Sequence, residues 1–224
     1  MTFSLLARCP GTRRFGMVIS SSSPAVAARC AHARAAVGAV ATQNITDPSL
    51  GPRLLDLMAG GLGATEAMAQ MVAETPYIDY RQLMAVDVRG RVAAHSGSRI
   101  LGVWGVAQGV GVVAGGNMLA NKDIPAAMIA GFGTSGDLGD RLVAALCAGR
   151  DAGGEAGPVH SAGLLMVDAE SWPVADLRCD WTDDGDPIAA VARSWQVYSP
   201  QMQAYIQRAR DPREAPKYGV PGDR

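Results

Sequence analysis

Aromatic residues are scarce, at 5% of the 224-residue chain. A core cannot be built on stacked rings here. With 27 glycines the chain is packed from small and aliphatic side chains at close backbone approach. Cysteine is sparse as well. Cys9, Cys30, Cys147 and Cys179 stand far apart and form no Cys-x-x-Cys pair. That excludes a zinc ribbon and a thioredoxin motif, and reads as four reduced thiols in a cytoplasmic protein. His32, His95 and His160 show no His-x-x-x-His spacing, so no metal is expected. No apolar run approaches the roughly 20 residues of a transmembrane helix. Charge of one sign is lacking too. The net charge is −1 and no basic stripe is present, so neither nucleic acid nor an anionic membrane is an expected partner.

Several catalytic signatures are missing. There is no Gly-x-x-x-x-Gly-Lys-Ser/Thr loop and no Gly-x-Ser-x-Gly elbow. Gly109-x-Gly111-x-x-x-Gly115 is one residue longer than a dinucleotide fingerprint and lacks the surrounding strand–loop–helix unit. No cofactor is expected. Residues 149–158, GRDAGGEAGP, read as a flexible surface loop rather than an anion cradle.

What is present is a globular composition, 48% hydrophobic and 18% charged. No linker is long enough to divide the chain. One domain is expected over residues 1–210, with a loose proline-rich tail over 211–224.

The start, MTFSLLARCPGTRRFGMVISSSS, admits two readings. Arg13-Arg14-Phe15 suggests a twin-arginine export signal. Yet Phe15 to Ile19 is followed at once by four serines and a proline, too short for the apolar core of roughly 7–15 residues that a signal needs. A β-hairpin explains more. Thr2 to Arg8 and Phe15 to Ser21 are strand-length runs around a Pro10-Gly11 turn. Pairing Arg8 with Phe15 sets Thr2 opposite Ser21.

Downstream, the order reads as hairpin, strand, helices, hairpin, further strands, helix, hairpin, helix. Ala25 to Ala36 is a helix or an irregular crossing. Val37 to Thr42 is a short buried strand. Pro52 opens a helix, and Thr65 caps another. Arg81–Asp87 with Arg91–His95, and His160–Asp168 with Pro173–Arg178, make hairpins. Asp137 to Cys147 is helical, and a final helix runs from about Pro187 to Arg208. Antiparallel strand pairs with helices between them favour a layered α+β protein over a doubly wound one.

Thr2 stands out chemically. A small residue after the initiator methionine is exposed when that methionine is removed. A threonine there carries both a hydroxyl nucleophile and a base, its own α-amine. The runs TFSLLARCPGTRRFGMVISSSS, AVGAVATQN, YRQLMAVDVRGRVAAHSGS, GGNML and DRLVAALCAGRDAGGEAGPVHSAGLLMVD, in that order, resemble an uncharacterised family. It is known as domain of unknown function 1028 and is assigned to the N-terminal-nucleophile (Ntn) hydrolase superfamily. The resemblance extends to about Asp180. It implies a four-layer αββα sandwich of two facing antiparallel sheets with helices outside. It also implies an N-terminal-threonine amidohydrolase acting on a small amide or peptide-like molecule. Thr2 matches the nucleophile. Asn117 in GGNML is the candidate for oxyanion or substrate contact, Gln43 for substrate contact, and Ser21 for a neighbour of Thr2. Arg81 is the candidate for gripping a substrate carboxylate. The competing reading of Gln43, Ser21 and Arg81 is that of buried polar residues satisfying backbone. The competing function is a non-catalytic module that binds a small ligand or assembles with partners. Two departures from the family pattern stand out: Glu155 in place of an aspartate after Ala-Gly-Gly, and Pro158-Val159-His160-Ser161 in place of Arg-Gly-x-Gln-Ser-Ala. Trp195, Tyr198, Met202 and Tyr205 on the last helix suggest a homodimer contact.

Overall fold

Side chains of the first strand are buried on both of its faces. In the computed structural model, which describes residues 1–219, β1 (Thr2–Arg8) and β2 (Phe15–Ser21) form the expected hairpin, with Thr2 opposite Ser21 and Arg8 opposite Phe15. A short helix α1 (Val26–Cys30) leads to β3 (Ala31–Arg34) and β4 (Gly38–Asn44). Helices α2 (Leu50–Ala59) and α3 (Ala64–Glu74) precede the hairpin of β5 (Arg81–Asp87) and β6 (Val92–Ser96). Then follow β7 (Gly105–Gly109), β8 (Val112–Asn117), α4 (Ile124–Phe132) and α5 (Leu138–Asp151). The last hairpin is β9 (Ser161–Val167) with β10 (Ala175–Cys179), and α6 (Pro187–Tyr198) and α7 (Met202–Arg210) close the chain. The fold is α+β. Among the described residues it has two antiparallel sheets, ordered β10-β9-β2-β1-β8-β7 and β3-β4-β5-β6, and seven α-helices.

The strand period of two sorts the core. Phe3, Leu5 and Ala7 of β1 pack with Met128, Leu142, Leu146 and Trp195 from the later helices. Leu6 points the other way and joins Met17 and Val113 of its own sheet to Ala39, Ala41, Met84 and Val86 of the four-stranded one. The opposite face of the small sheet, with Val40, Leu83 and Ala85, packs on Leu54, Leu55, Met58, Met68 and Met71 of α2 and α3. Glycine permits the close approach that the shortage of rings implies. A Cβ at Gly16 would sit 2.5 Å from Leu142 Cδ1, and one at Gly115 would sit 2.8 Å from Met84 Sδ.

The structure corrects several local expectations. Ala31–Arg34 is an edge strand, because pairing to β4 overrides the helix preference of alanine. Thr65 lies inside α3, with Gly63 at the cap position. The 149–158 segment is only partly a surface loop, with Gly153, Ala156 and Pro158 exposed. Its first residues finish α5, and Glu155 is buried against Leu119. The last helix is two helices: Pro200 removes a donor, and the chain turns before Met202. Trp195 and Met202, two of the four side chains behind the dimer expectation, are buried within the chain. Trp195 Nε1 donates to Asp140 at 2.7 Å, and the Tyr198 hydroxyl donates to Val174 O at 2.7 Å. The Arg208 guanidinium of α7 lies 3.7 Å from the ring centroid of Tyr218 in the tail. Residues 220–224 of the tail lie outside the described residues. The four cysteines carry free thiols. No helix among the described residues is long and apolar enough to cross a membrane.

Asp186 caps α6 by accepting from Ile188 N at 2.9 Å and Ala189 N at 3.0 Å, and it pairs with Arg150 at 2.7 Å. Burial would raise its pKa, but these partners outweigh that and hold its carboxyl below the usual range. Asp186→Ala is expected to cost about 0.5–2 kcal/mol in urea unfolding, the range for a lost N-cap. A loss below about 0.3 kcal/mol would show that the cap contributes nothing here.

Candidate functional site

Three strand ends meet where β1 begins. The pairing that sets Thr2 opposite Ser21 on one side sets it opposite Asn117 on the other. Alternation puts all three side chains on the face between the sheets, because Thr2 shares parity with Leu6, Ser21 with Met17, and Asn117 with Val113. Gln43 on β4 and Gln82 on β5 share that face with Ala41 and Met84. The layer between the sheets is therefore apolar along most of its length and polar at this end.

The polar end is a hydrogen-bonded chain. Ser4 Oγ donates to Gln43 Oε1 at 2.8 Å, and Gln43 Nε2 donates to Gln82 Oε1 at 2.8 Å. Gln82 Oε1 also accepts from Asn117 Nδ2 at 3.3 Å. Gln82 Nε2 donates to Gly116 O and to Ser96 Oγ, each at 3.2 Å. Ser4, Gln43, Gln82 and Asn117 are completely buried. Such a network locks rotamers, since any broken link strands a polar group away from water. One atom stands outside it: Asn117 Oδ1 is buried without a partner. Among the described residues the second N–H of that amide has no acceptor, and it is the donor the side chain can offer an oxyanion.

Thr2 heads this cluster and is 6% exposed. Its hydroxyl lies 3.3 Å from Ser21 Oγ. Both hydroxyls donate to the carbonyl oxygen of Met1, each at 2.5 Å. Ser21 Oγ in turn accepts from Ser23 N at 3.1 Å, which fixes its orientation. Beside them stands Glu155, also 6% exposed. Its backbone is held by a bridge to Leu119 and by the bonds Ala120 N to Gly154 O and Ala156 N to Met118 O, both 3.0 Å. Oε2 accepts from Ser22 N at 3.0 Å, while Oε1 is buried and unpartnered. Burial pushes the Glu155 carboxyl up to about 7, against the pull of the chain's α-amino group and Ser22. Burial lowers the pKa of that amino group, Glu155 and Cys30 oppose the shift, and Arg29 adds to it.

Thus the structure brings together Thr2, Ser21, Asn117 and Gln43. Arg81 is not among them. It neighbours Gln82 in sequence and so faces the other side of the sheet, with Leu83 and Ala85, where its guanidinium donates to Ile45 O. Two participants escaped the sequence reading. Gln82 had a signal, being polar at the same parity as buried Met84 and Val86. Glu155 had one only through the resemblance, where the family carries an aspartate, and its burial depends on pairing with residues 118–120. A hydroxyl, an amide donor, a carboxyl and an amine in one desolvated cluster are the elements of acyl transfer. Among the described residues no group of His, Cys, Asp or Glu side chains is arranged to hold a metal ion.

The crystal structure of protein SPO2555 from Silicibacter pomeroyi, carrying the same family model, superposes with a TM-score of 0.81 at 28% identity. The match covers 88% of this chain and 89% of that one. Anbu (ancestral beta-subunit) from Yersinia bercovieri gives a TM-score of 0.42 at 10% identity, covering 91% of this chain and 97% of that one. No curated protein matches the chain. The model described as a family of unknown function, DUF1028, matches residues 2–191. With its model spanning most of the sequence, the chain belongs to the DUF1028 family.

Proposed function

We propose that this protein is an N-terminal-threonine amidohydrolase with an Ntn-hydrolase-like αββα sandwich, acting on a small amide or peptide-like substrate. The observation that carries the reading is the pair of hydroxyls, Thr2 and Ser21, converging on one carbonyl oxygen beside Asn117. The layering is supported by three apolar clusters: one between the sheets and one on the helix-covered face of each.

In this mechanism Met1 is removed and the new α-amine is the base. Its reference pKa of about 7.7–8.0 leaves a useful fraction neutral near pH 7–8. The Thr2 hydroxyl attacks the amide carbonyl and passes its proton to that amine. The oxyanion takes an N–H of Asn117. Ser21 holds the nucleophile's rotamer. The Gln43–Gln82 pair holds Asn117.

Mass spectrometry of intact protein from its native host tests the starting condition. The expected mass is that of a chain beginning at Thr2. Quantitative retention of the residue before Thr2 would remove the amine base and favour the second reading, a binding module. That reading draws on the way Met1 covers Thr2 here.

A further inference from the structure

Met1 is more than an obstruction in this site, because its carbonyl oxygen and its side chain are both in contact with the chain. Its carbonyl oxygen takes both hydroxyls. Its amino group feels the charge of Glu155 without forming an ion pair with it, and Glu155 Oε1 stays buried with no partner. Its side chain runs past Gly157, where a Cβ would stand 3.0 Å from Met1 Cε and 3.6 Å from Sδ. An unpaired buried carboxyl oxygen is costly unless a cation completes it. The segment bearing Glu155 and Gly157 is fixed, not loose, through its pairing with Met118, Leu119 and Ala120.

We propose that the space Met1 fills is the acyl pocket, and that the substrates are α-aminoacyl amides with a free ammonium group at Glu155 and a long unbranched side chain along Gly157. The proposal rests on Thr2 being the nucleophile and adds the substrate class. The chemistry balances. Thr2 Oγ forms an ester with the aminoacyl carbon as the C–N bond breaks. The hydroxyl proton goes to the Thr2 amine and from there to the departing amine. Water then cleaves the ester, giving the free amino acid and restoring the Thr2 hydroxyl.

Two measurements on protein beginning at Thr2 test this. Calorimetry compares L-methioninamide with its N-acetyl derivative. The free amine is expected to bind at least about tenfold more tightly, as loss of a charge-assisted hydrogen bond demands. Glu155→Gln, a change of equal size, is expected to erase that preference while the melting temperature holds. Gly157→Val is expected to weaken methioninamide and spare alaninamide. Turnover of L-methionine 4-nitroanilide and its N-acetyl form is followed separately. Equal binding of the two amides, no binding at millimolar concentration, or cleavage of the acetylated anilide alone overturns the pocket. Selective binding without any turnover supports the pocket and removes the hydrolase reading, so the two failures are distinct.

Discussion

Thr2→Ala, in protein that begins at residue 2, is expected to abolish the proposed amide hydrolysis while leaving the fold intact. The expected loss is about a thousandfold or more in kcat, the scale on which removal of a covalent nucleophile is felt. The melting temperature should move little. The substitution removes one hydroxyl and one methyl at a strand end whose backbone stays paired to both β2 and β8. Thr2→Ser separates nucleophile from packing. It keeps the hydroxyl and the amine, loses only the methyl that restricts χ1, and should retain measurable turnover. The assay is a panel of 4-nitroanilides followed at pH 8. A wild-type protein that cleaves none of them, or an alanine variant that cleaves as well as wild type, sinks the threonine mechanism.

The second large effect lies far from the site, at Asp87, the last residue of β5 and nearly fully buried. Its carboxylate accepts from Ala64 N at 3.0 Å, Arg89 N at 2.8 Å, Arg91 N at 3.0 Å and Arg91 Nε at 2.7 Å. One acidic side chain thus ties the start of α3 to the turn between β5 and β6. Burial alone would raise its pKa; the four donors outweigh burial and hold it below the usual range. Asp87→Ala strands those donors and should cost about 3 kcal/mol. Asp87→Asn, which keeps one acceptor but turns an NH2 toward donors, should cost somewhat less. The sign of the pH dependence follows from the depressed value. The stabilisation is complete above the unfolded aspartate value of about 3.9 and is lost as pH falls through the lower folded value. The gap between wild type and variant, measured by urea unfolding, should be widest at pH 6–7 and narrow below about pH 4. A cost under 1 kcal/mol at pH 7 would show that water replaces the carboxylate.

Local chemistry made much of the hairpins legible. The Pro10-Gly11 turn fixed the first register, and that register placed Ser21 beside Thr2. Asn117 could be suspected only by resemblance, because its contact with Thr2 closes over more than a hundred residues of chain. Arg81 and Gln82 show how much a single step matters. Adjacent on one strand, they point to opposite faces, and only the even partner enters the site. The parity of Met84 and Val86 already contained that distinction. Glu155 lay beyond local reading, since glycine-rich sequence reads as exposed unless its partners are known. The broken last helix was readable at Pro200. The strand at Ala31–Arg34 was not, because alanine there answers to its neighbour β4 rather than to its own preference.

The position of β1, flanked on both sides by strands that follow it in the sequence, has a consequence for the order of events during synthesis. β2 emerges within seconds of β1, but β8 ends at Asn117, 115 residues after Thr2. At about 5–20 residues per second that second partner arrives roughly 6–23 s later. Until then one edge of β1 is open and the amino group ahead of Thr2 is accessible to a processing peptidase. Once β8 docks and residues 153–157 fold over it, that access narrows. In the proposed mechanism the timing of translation, as well as the identity of residue 2, would then influence what fraction of molecules carries a free threonine. Any extension fused ahead of Thr2 would have to leave through the space beside Glu155 and Gly157.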